Sequence, residues 1–221
     1  LSREHEILDH EAEDGVAGFF SMLGGKLASF RIFAEEMTDL VCERLGVSAE
    51  CRTHLEPLPG GDATPDEAAW AASLQITPYA ARRLAYRQGS VGNTILSTIA
   101  TEDESRRAVV CPCEPVTDAE VRHAIRHEWA RCLDDVRRRT RLGMGPCQGA
   151  LCATRGAGIL AAEKNLESDE ALREIWRFQA RLWKERRPAL DGPQLAQEKL
   201  SRGMNLGVYR LHALAPLPED A

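Results

Sequence analysis

Two stretches of this sequence decide its fold: VVCPC at residues 109–113 and RRRTRLGMGPCQGALC at residues 137–152. They contain a Cys-x-Cys pair, Cys111 and Cys113, and a Cys-x4-Cys pair, Cys147 and Cys152. The spacer between the pairs is long enough for two helices joined by a turn, which would bring the pairs together. The sequence therefore predicts a four-thiolate site built on a helix-turn-helix unit.

Three interpretations of these cysteines remain open from the residues alone. Structural zinc sites prefer a Cys-x2–4-Cys spacing in both pairs, so the Cys-x-Cys pair is atypical for zinc. Four thiolates also suit a 2Fe–2S cluster, and cysteines that bind nothing are common as small buried apolar residues. The segment offers backbone N–H groups and positive charge for a cluster, although a run of arginines is also typical of a solvated helix face. These residues are Gly143, Gly145, Gly149, Arg137, Arg138, Arg139 and Arg141.

Helices dominate the pattern around the cysteines. Thr117 and Glu120 form the spacing of a capping box, in which the Glu120 carboxylate reaches back to the start of the helix. Further helices are expected over 133–142, where Gly143 ends the helix, from about 147–149 to 162, and from 168 to just before Pro188.

The first part of the chain mixes strands and helices. Apolar runs at 6–10 and 18–23 predict two strands joined by a polar turn at 11–15. Gly24 and Gly25 then open a long amphipathic helix that ends at Gly46. With the helices downstream, this gives an α+β fold that is predominantly α.

The middle of the chain is predicted to consist of loops and short helices. The Pro- and Gly-rich segment 55–65 predicts a loop. One helix is expected from about residue 65, carrying Trp70, Leu74 and Ile76, and a second over 80–88. The charged segment 100–107 predicts a linker.

Composition argues against several functions. The 221 residues carry a net charge of −6, which argues against a nucleic-acid partner. No apolar run approaches the ~18 residues of a membrane span. Seven cysteines, an odd number, with no visible export signal favour a reducing compartment over a disulfide framework. The chain lacks an initiating Met, and we expect it to be part of a longer protein.

Residues 109–152 resemble the bacterioferritin-associated-ferredoxin-like 2Fe–2S domain. The run from Arg137 to Cys152 is similar to the form of that domain in the A subunits of anaerobic glycerol-3-phosphate dehydrogenases. The resemblance implies that the cluster is held by four residues: Cys111, Cys113, Cys147 and Cys152.

Residues 7–45 resemble the end of the flavin domain of FAD-dependent glycerol-3-phosphate dehydrogenases. In that family a Gly-Gly-Lys-Leu-Thr-Thr-Tyr-Arg-like motif places a helix start against the flavin ring. Carried over to this sequence, Gly25, Lys26 and Leu27 would face the flavin. Ala28 and Phe30 lack the hydroxyl groups of the family pattern, so polar contacts at those two positions are not expected.

The resemblance also implies a domain organisation. Residues 1–62 would end the FAD-binding domain, 63–107 would form a helical cap, 108–162 the 2Fe–2S domain, and 163–221 a C-terminal helical tail. The dinucleotide-binding Gly-x-Gly-x-x-Gly motif is absent. We therefore expect FAD to be bound mainly by residues outside this chain, and we assign no catalytic residue within it.

The function implied is oxidation of sn-glycerol 3-phosphate to dihydroxyacetone phosphate by the full subunit. The cluster would relay electrons from flavin toward a quinone-linked partner subunit. The expected location is the cytoplasm, with peripheral association at the inner face of the cytoplasmic membrane through that partner. The alternatives are a free-standing 2Fe–2S electron-transfer module and a zinc-stapled interaction domain.

Overall fold

The computed structural model describes residues 4–211, which form ten α-helices and four short strands. This confirms the predominantly α-helical α+β class. The chain divides into two compact units on either side of the bond between Pro57 and Leu58. Within residues 4–211 no helix combines the length and the apolar character needed to cross a membrane.

The first unit begins with an antiparallel strand pair. Strands β1 (His5–Asp9) and β2 (Phe20–Gly24) pair with His5 opposite Gly24, which confirms the two predicted strands. The segment between them, predicted as a turn, begins with a short helix, α1 (His10–Asp14), because the Asp9 side chain accepts a hydrogen bond from the Glu11 N–H at 3.1 Å and caps it.

Helix α2 (Phe30–Leu45) starts later than the sequence predicts. Gly24 and Gly25 have φ angles of 72° and 80°, a left-handed conformation that cannot begin an α-helix. A 3₁₀ turn at Leu27–Ser29 follows before α2 begins. The predicted end is confirmed, since Gly46 caps the helix with φ 65°.

The first unit has no interior of its own. None of the described residues between 4 and 57 is buried. Large apolar side chains of this unit lie open to solvent, including Phe19, Leu23, Leu27, Phe30 and Ile32. An apolar surface of this kind is typical of a segment that packs against another protein surface.

The second unit begins with three helices around one small core. They are α3 (Glu67–Leu74), α4 (Pro78–Gln88) and α5 (Val91–Thr101). Helix α5 was not predicted, and it includes the start of the segment predicted as a linker. Its β-branched residues and Gly92 have low helix propensity. Tertiary packing stabilises α5 instead. The Trp70 ring packs directly over Gly92, where a Cβ would lie 2.4 Å from the ring.

A larger core holds the remaining elements together. Strands β3 (Val109–Cys111) and β4 (Val116–Thr117) pair antiparallel, and they are followed by α6 (Asp118–His127) and α7 (Leu133–Thr140). Then come α8 (Ala153–Lys164), α9 (Ser168–Arg186) and α10 (Gly192–Val208). The interior residues include Val121, Leu133, Val136, Leu142, Leu160, Ile175, Phe178 and Leu182.

Helices α6 and α8 are joined across their surfaces by a shared carboxylate. Glu163 on α8 accepts hydrogen bonds from Arg126 at 2.7 and 2.9 Å, and it also pairs with Arg122. Arg126 in particular, with Arg122, holds the pKa of Glu163 below its ordinary value. The ion pairs therefore stabilise the packing of the two helices while Glu163 is ionised.

We expect Glu163→Gln to lower the free energy of unfolding at neutral pH by about 1–3 kcal/mol. Since the pKa of Glu163 is lowered on folding, its contribution is present above the ordinary unfolded value of about 4.5. It is lost as pH falls through the lower folded pKa. Urea unfolding should therefore show a large difference between the two proteins near pH 7 and a small one near about pH 3. Glu185→Gln, at an exposed i,i+4 pair, is the matched control, and an equal effect of both variants would contradict this account.

Candidate metal centre

The four predicted cysteines lie at the ends of elements that the larger core brings together. Cys111 ends β3, and Cys113 lies in the turn between β3 and β4. Cys147 lies in the loop after α7, and Cys152 immediately precedes α8. The predicted third helix therefore begins at Ala153 and not at 147–149. The segment 147–151 stays in a turn, where its N–H groups remain free of helix hydrogen bonds.

The sulfur atoms meet as two pairs. The Sγ atoms of Cys113 and Cys147 are 3.4 Å apart. The thiols of Cys111 and Cys152 interact with each other as a second pair. Cys111 and Cys152 are fully buried, whereas Cys113 and Cys147 are partly exposed. The centre therefore has an inner pair and an outer pair.

Backbone N–H groups surround the inner pair and favour a thiolate there. Hydrogen bonding from Cys152, assisted by the N–H groups of Gly143 and Glu114, lowers the pKa of Cys111 to about 5. The same contact with Cys111 raises the pKa of Cys152, and burial adds to this.

The outer pair has its own donors. Burial opposes ionisation of Cys147, but the N–H of Leu151, the thiol of Cys113 and the N–H of Gly149 together lower the pKa of Cys147. The Cys147 N–H also donates to the sulfur of Cys113, but the contact with the Cys147 thiol and burial leave the pKa of Cys113 raised. Turn N–H groups that converge on sulfur in this way stabilise negative charge, as they do in anion-binding nests.

The two candidate groups, zinc and a 2Fe–2S cluster, differ in the ligand set that each needs. Among residues 4–211 no three His, Cys, Asp or Glu side chains converge as the ligands of one metal ion. A structural zinc ion needs four ligands around one point. A 2Fe–2S cluster takes four cysteines, two for each iron, and its sulfur atoms accept hydrogen bonds. The described residues therefore present two thiol pairs with N–H donors and no assembled set of metal ligands.

Two glycines allow the loops to approach this closely. A Cβ at Gly145 would lie 2.3 Å from the Cβ of Cys113. Gly149 has φ 89°, and its Cβ would lie 2.4 Å from the buried ring of Phe178 on α9. Phe178 thus packs against the second cysteine loop, residues 147–152. This contact was not predicted from the sequence.

The arginines upstream of Cys147 contribute less charge to the centre than their number suggests. Arg138 and Arg139 both pair with Asp135 on their own helix. Arg141 reaches Glu114, the residue after Cys113, with N–O distances of 3.2 and 3.3 Å. Of these three, only Arg141 contacts a cysteine loop.

The sequence also missed the buried partner of Glu120. Thr117 caps α6, accepting from the Glu120 N–H at 3.3 Å. The Glu120 carboxylate does not complete the predicted capping box and instead pairs with Arg87 on α4. Arg83, one turn earlier on α4, pairs with Glu114. Arg83 and Arg87 are spaced i,i+4, which places both on one face of α4. This spacing is the one signal in the sequence that they contact the same neighbouring segment.

The residues predicted to face flavin lie in the first unit. Gly25 donates its N–H to the carbonyl of Glu4 at 3.1 Å. Lys26 is extended and precedes the 3₁₀ turn, and the Leu27 side chain is 90% exposed. These positions leave Lys26 and Leu27 available to a ligand, and their contact with flavin stays a prediction.

Comparison with known proteins identifies the family. The C-terminal domain of alpha-glycerophosphate oxidase matches residues 51–171, which is more than half of the chain. The chain belongs to this family. The match includes all four cysteines of the centre and ends within α9.

The chain is also similar to the A subunits of anaerobic glycerol-3-phosphate dehydrogenases. It is 35% identical to the A subunit of Haemophilus influenzae over 222 residues, covering 100% of this chain and 38% of the relative. It is 36% identical to the A subunit of Escherichia coli K12 over 211 residues, covering 96% and 38%. It is 39% identical to the A1 subunit of Haloferax volcanii over 200 residues, covering 90% and 33%.

The chain spans only 33–38% of the length of these relatives and is similar to their C-terminal region. No solved structure matches it.

We expect Gly145→Ala to separate the two cysteine loops, because the added methyl group overlaps the side chain of Cys113. The variant should lose about 1–3 kcal/mol of stability. Oxidation of the metal-free chain should form the disulfide between Cys113 and Cys147 more slowly than in the unaltered chain, as measured by peptide mass spectrometry.

Gly158→Ala on α8 is the matched control, since nothing lies within 4 Å of its Cβ. It should leave the oxidation rate unchanged and stabilise the helix by about 0.5–1 kcal/mol. Equal oxidation rates for all three proteins would show that Gly145 does not control the approach of the loops.

Proposed function

We propose that the chain is the C-terminal part of an FAD-dependent glycerol-3-phosphate dehydrogenase and that it carries a 2Fe–2S cluster. The full subunit would oxidise sn-glycerol 3-phosphate to dihydroxyacetone phosphate. Family membership and the similarity to A subunits over 90% or more of the chain support this assignment.

The observation that carries the proposal is the gathering of four thiols into two pairs among backbone N–H donors. Cys111, Cys113, Cys147 and Cys152 would hold the cluster. When bound, the cluster accepts and releases one electron at a time, which suits a chain of carriers between a two-electron flavin and a quinone. The protein would contribute a partly buried site whose N–H groups offset the negative charge of the thiolates.

The difference in burial between the two pairs favours one direction of approach for the electron acceptor. Cys111 and Cys152 are enclosed by the larger core, while Cys113 and Cys147 are partly exposed. Leu151, between Cys147 and Cys152, is also exposed. We expect an electron-accepting partner subunit to bind on the side of the outer pair.

The first unit would complete a flavin domain contributed by the same subunit. Its exposed apolar side chains give the upstream flavin domain a surface to pack against. Gly25, Lys26 and Leu27 would lie at the flavin ring, where Lys26 would stabilise the negative charge of the reduced flavin. FAD would be held mainly by residues outside this chain.

The location that we propose is the cytoplasm, at the inner face of the cytoplasmic membrane. Attachment would depend on a quinone-linked partner subunit. The relatives are named as one subunit of their enzymes, which supports an assembly of more than one chain.

Metal analysis tests the cluster. The chain purified without oxygen should contain about two irons and two sulfides, with an S = 1/2 electron paramagnetic resonance signal after reduction by dithionite. Cys147→Ser should abolish the signal because it removes one ligand. Cys132→Ser is the control: this cysteine precedes α7, outside the two pairs, and its replacement should preserve the signal.

Other outcomes would favour the alternatives. Stoichiometric zinc without iron, even after reconstitution, would indicate a zinc-stapled interaction domain. A cluster in a gene product that contains no flavin domain would indicate a free-standing electron-transfer module.

The flavin contact is tested in the full-length subunit. Lys26→Met should lower the flavin reduction potential by on the order of 10–30 mV, because a positive charge near the reduced flavin is lost. Arg31→Met removes one charge from the same segment and is the control. If both variants shift the potential equally, Lys26 is not at the flavin ring.

A further inference from the structure

Arg87 is an almost fully buried arginine beneath the first cysteine loop, residues 111–115. Its side chain is 3% exposed, and that of its partner Glu120 is 0% exposed. Arg87 donates to Glu120 through two parallel hydrogen bonds, Nε to Oε1 at 2.6 Å and Nη2 to Oε2 at 2.8 Å. The charge of the arginine is therefore balanced within the interior.

Two of the three remaining N–H donors of Arg87 bind the backbone of the cysteine loop. Nη1 donates to the carbonyl of Glu114 at 2.9 Å, and Nη2 donates to the carbonyl of Pro115 at 3.3 Å. One rigid guanidinium group thus joins α4, the start of α6 and the two residues that follow Cys113. A lysine could not reproduce this planar set of contacts.

The part of the loop held by Arg87 is also the part that faces sulfur. The N–H of Glu114 donates to Cys111. The carboxylate of Glu114 is held from outside by Arg83 at 2.6 Å and by Arg141 at 3.2 Å. Glu114, the residue after Cys113, is therefore fixed at its carbonyl, its N–H and its side chain.

We propose that Arg87 is a positioning residue that holds the cysteine loop in the shape required to bind the cluster. The inference rests on the proposed function for its relation to the cluster. Helix α4 packs in the smaller core with α3 and α5. Through Arg87, helices α3, α4 and α5 determine the geometry of the first cysteine loop.

The ion pair and the loop contacts can be separated by substitution. Removing Arg87 alone would leave Glu120 buried without a partner and would destabilise the whole unit. Replacing both partners by apolar residues of similar size, Arg87→Met with Glu120→Leu, restores a neutral interior but still removes the contacts to Glu114 and Pro115. Arg82→Met on the same helix is the control, because Arg82 is 73% exposed and lies away from the loop.

The experiment uses the full chain in two states. In the metal-free chain, hydrogen exchange should show the Glu114 amide exchanging about tenfold faster in the double variant than in the control, while the global stability of the two stays similar. In the iron-loaded chain, the double variant should show altered g values and should lose its cluster several-fold faster in air.

Each negative result points to a different failure. Unchanged exchange at Glu114 in the double variant would overturn the positioning role, whatever metal the chain holds. Faster exchange with unchanged g values and an unchanged rate of cluster loss would also overturn it. If the unaltered chain takes up no iron, the proposed function fails, and the exchange result alone decides whether Arg87 holds the loop.

Discussion

The close approach of four sulfur atoms, two of them fully buried, is the constraint on which the second unit depends. Thiolates packed this closely repel one another, and burial makes ionisation costlier still. Backbone N–H groups offset this cost by donating to sulfur. They come from turns and not from regular helix. The positive φ angles of Gly143 and Gly149, and the absence of a side chain at Gly145, follow from that requirement.

The same constraint explains why the two cores are joined by charged groups. Turns that point their N–H groups at sulfur lack the internal hydrogen bonds of a helix and need support from outside. Arg83, Arg87 and Arg141 supply it at the first loop, and Phe178 supplies it at the second. Helices far from cysteine in the sequence are thereby part of the centre.

The first unit differs from the second in the burial of its side chains. Its strands and helix form by local pairing and capping, yet none of its described residues is buried. Local hydrogen bonds determine its secondary structure, whereas burial of apolar area usually supplies most of the stability of a fold. Its exposed apolar side chains are typical of a segment that packs against another protein surface.

Features that depend on neighbouring residues could be predicted directly from the sequence: the cysteine spacing, the Thr117 cap, the helix end at Gly46 and the first two strands. Contacts between distant residues settled the others. The Glu120 carboxylate pairs with Arg87 and not with the start of its own helix, because the buried bidentate pair satisfies both charged groups. Helix α5 formed despite weak propensity because Trp70 packs over Gly92. Helix α8 begins late, since the N–H groups of Cys147, Gly149 and Leu151 donate to sulfur. A local pattern cannot encode such contacts, because the partners are brought together only when the chain folds.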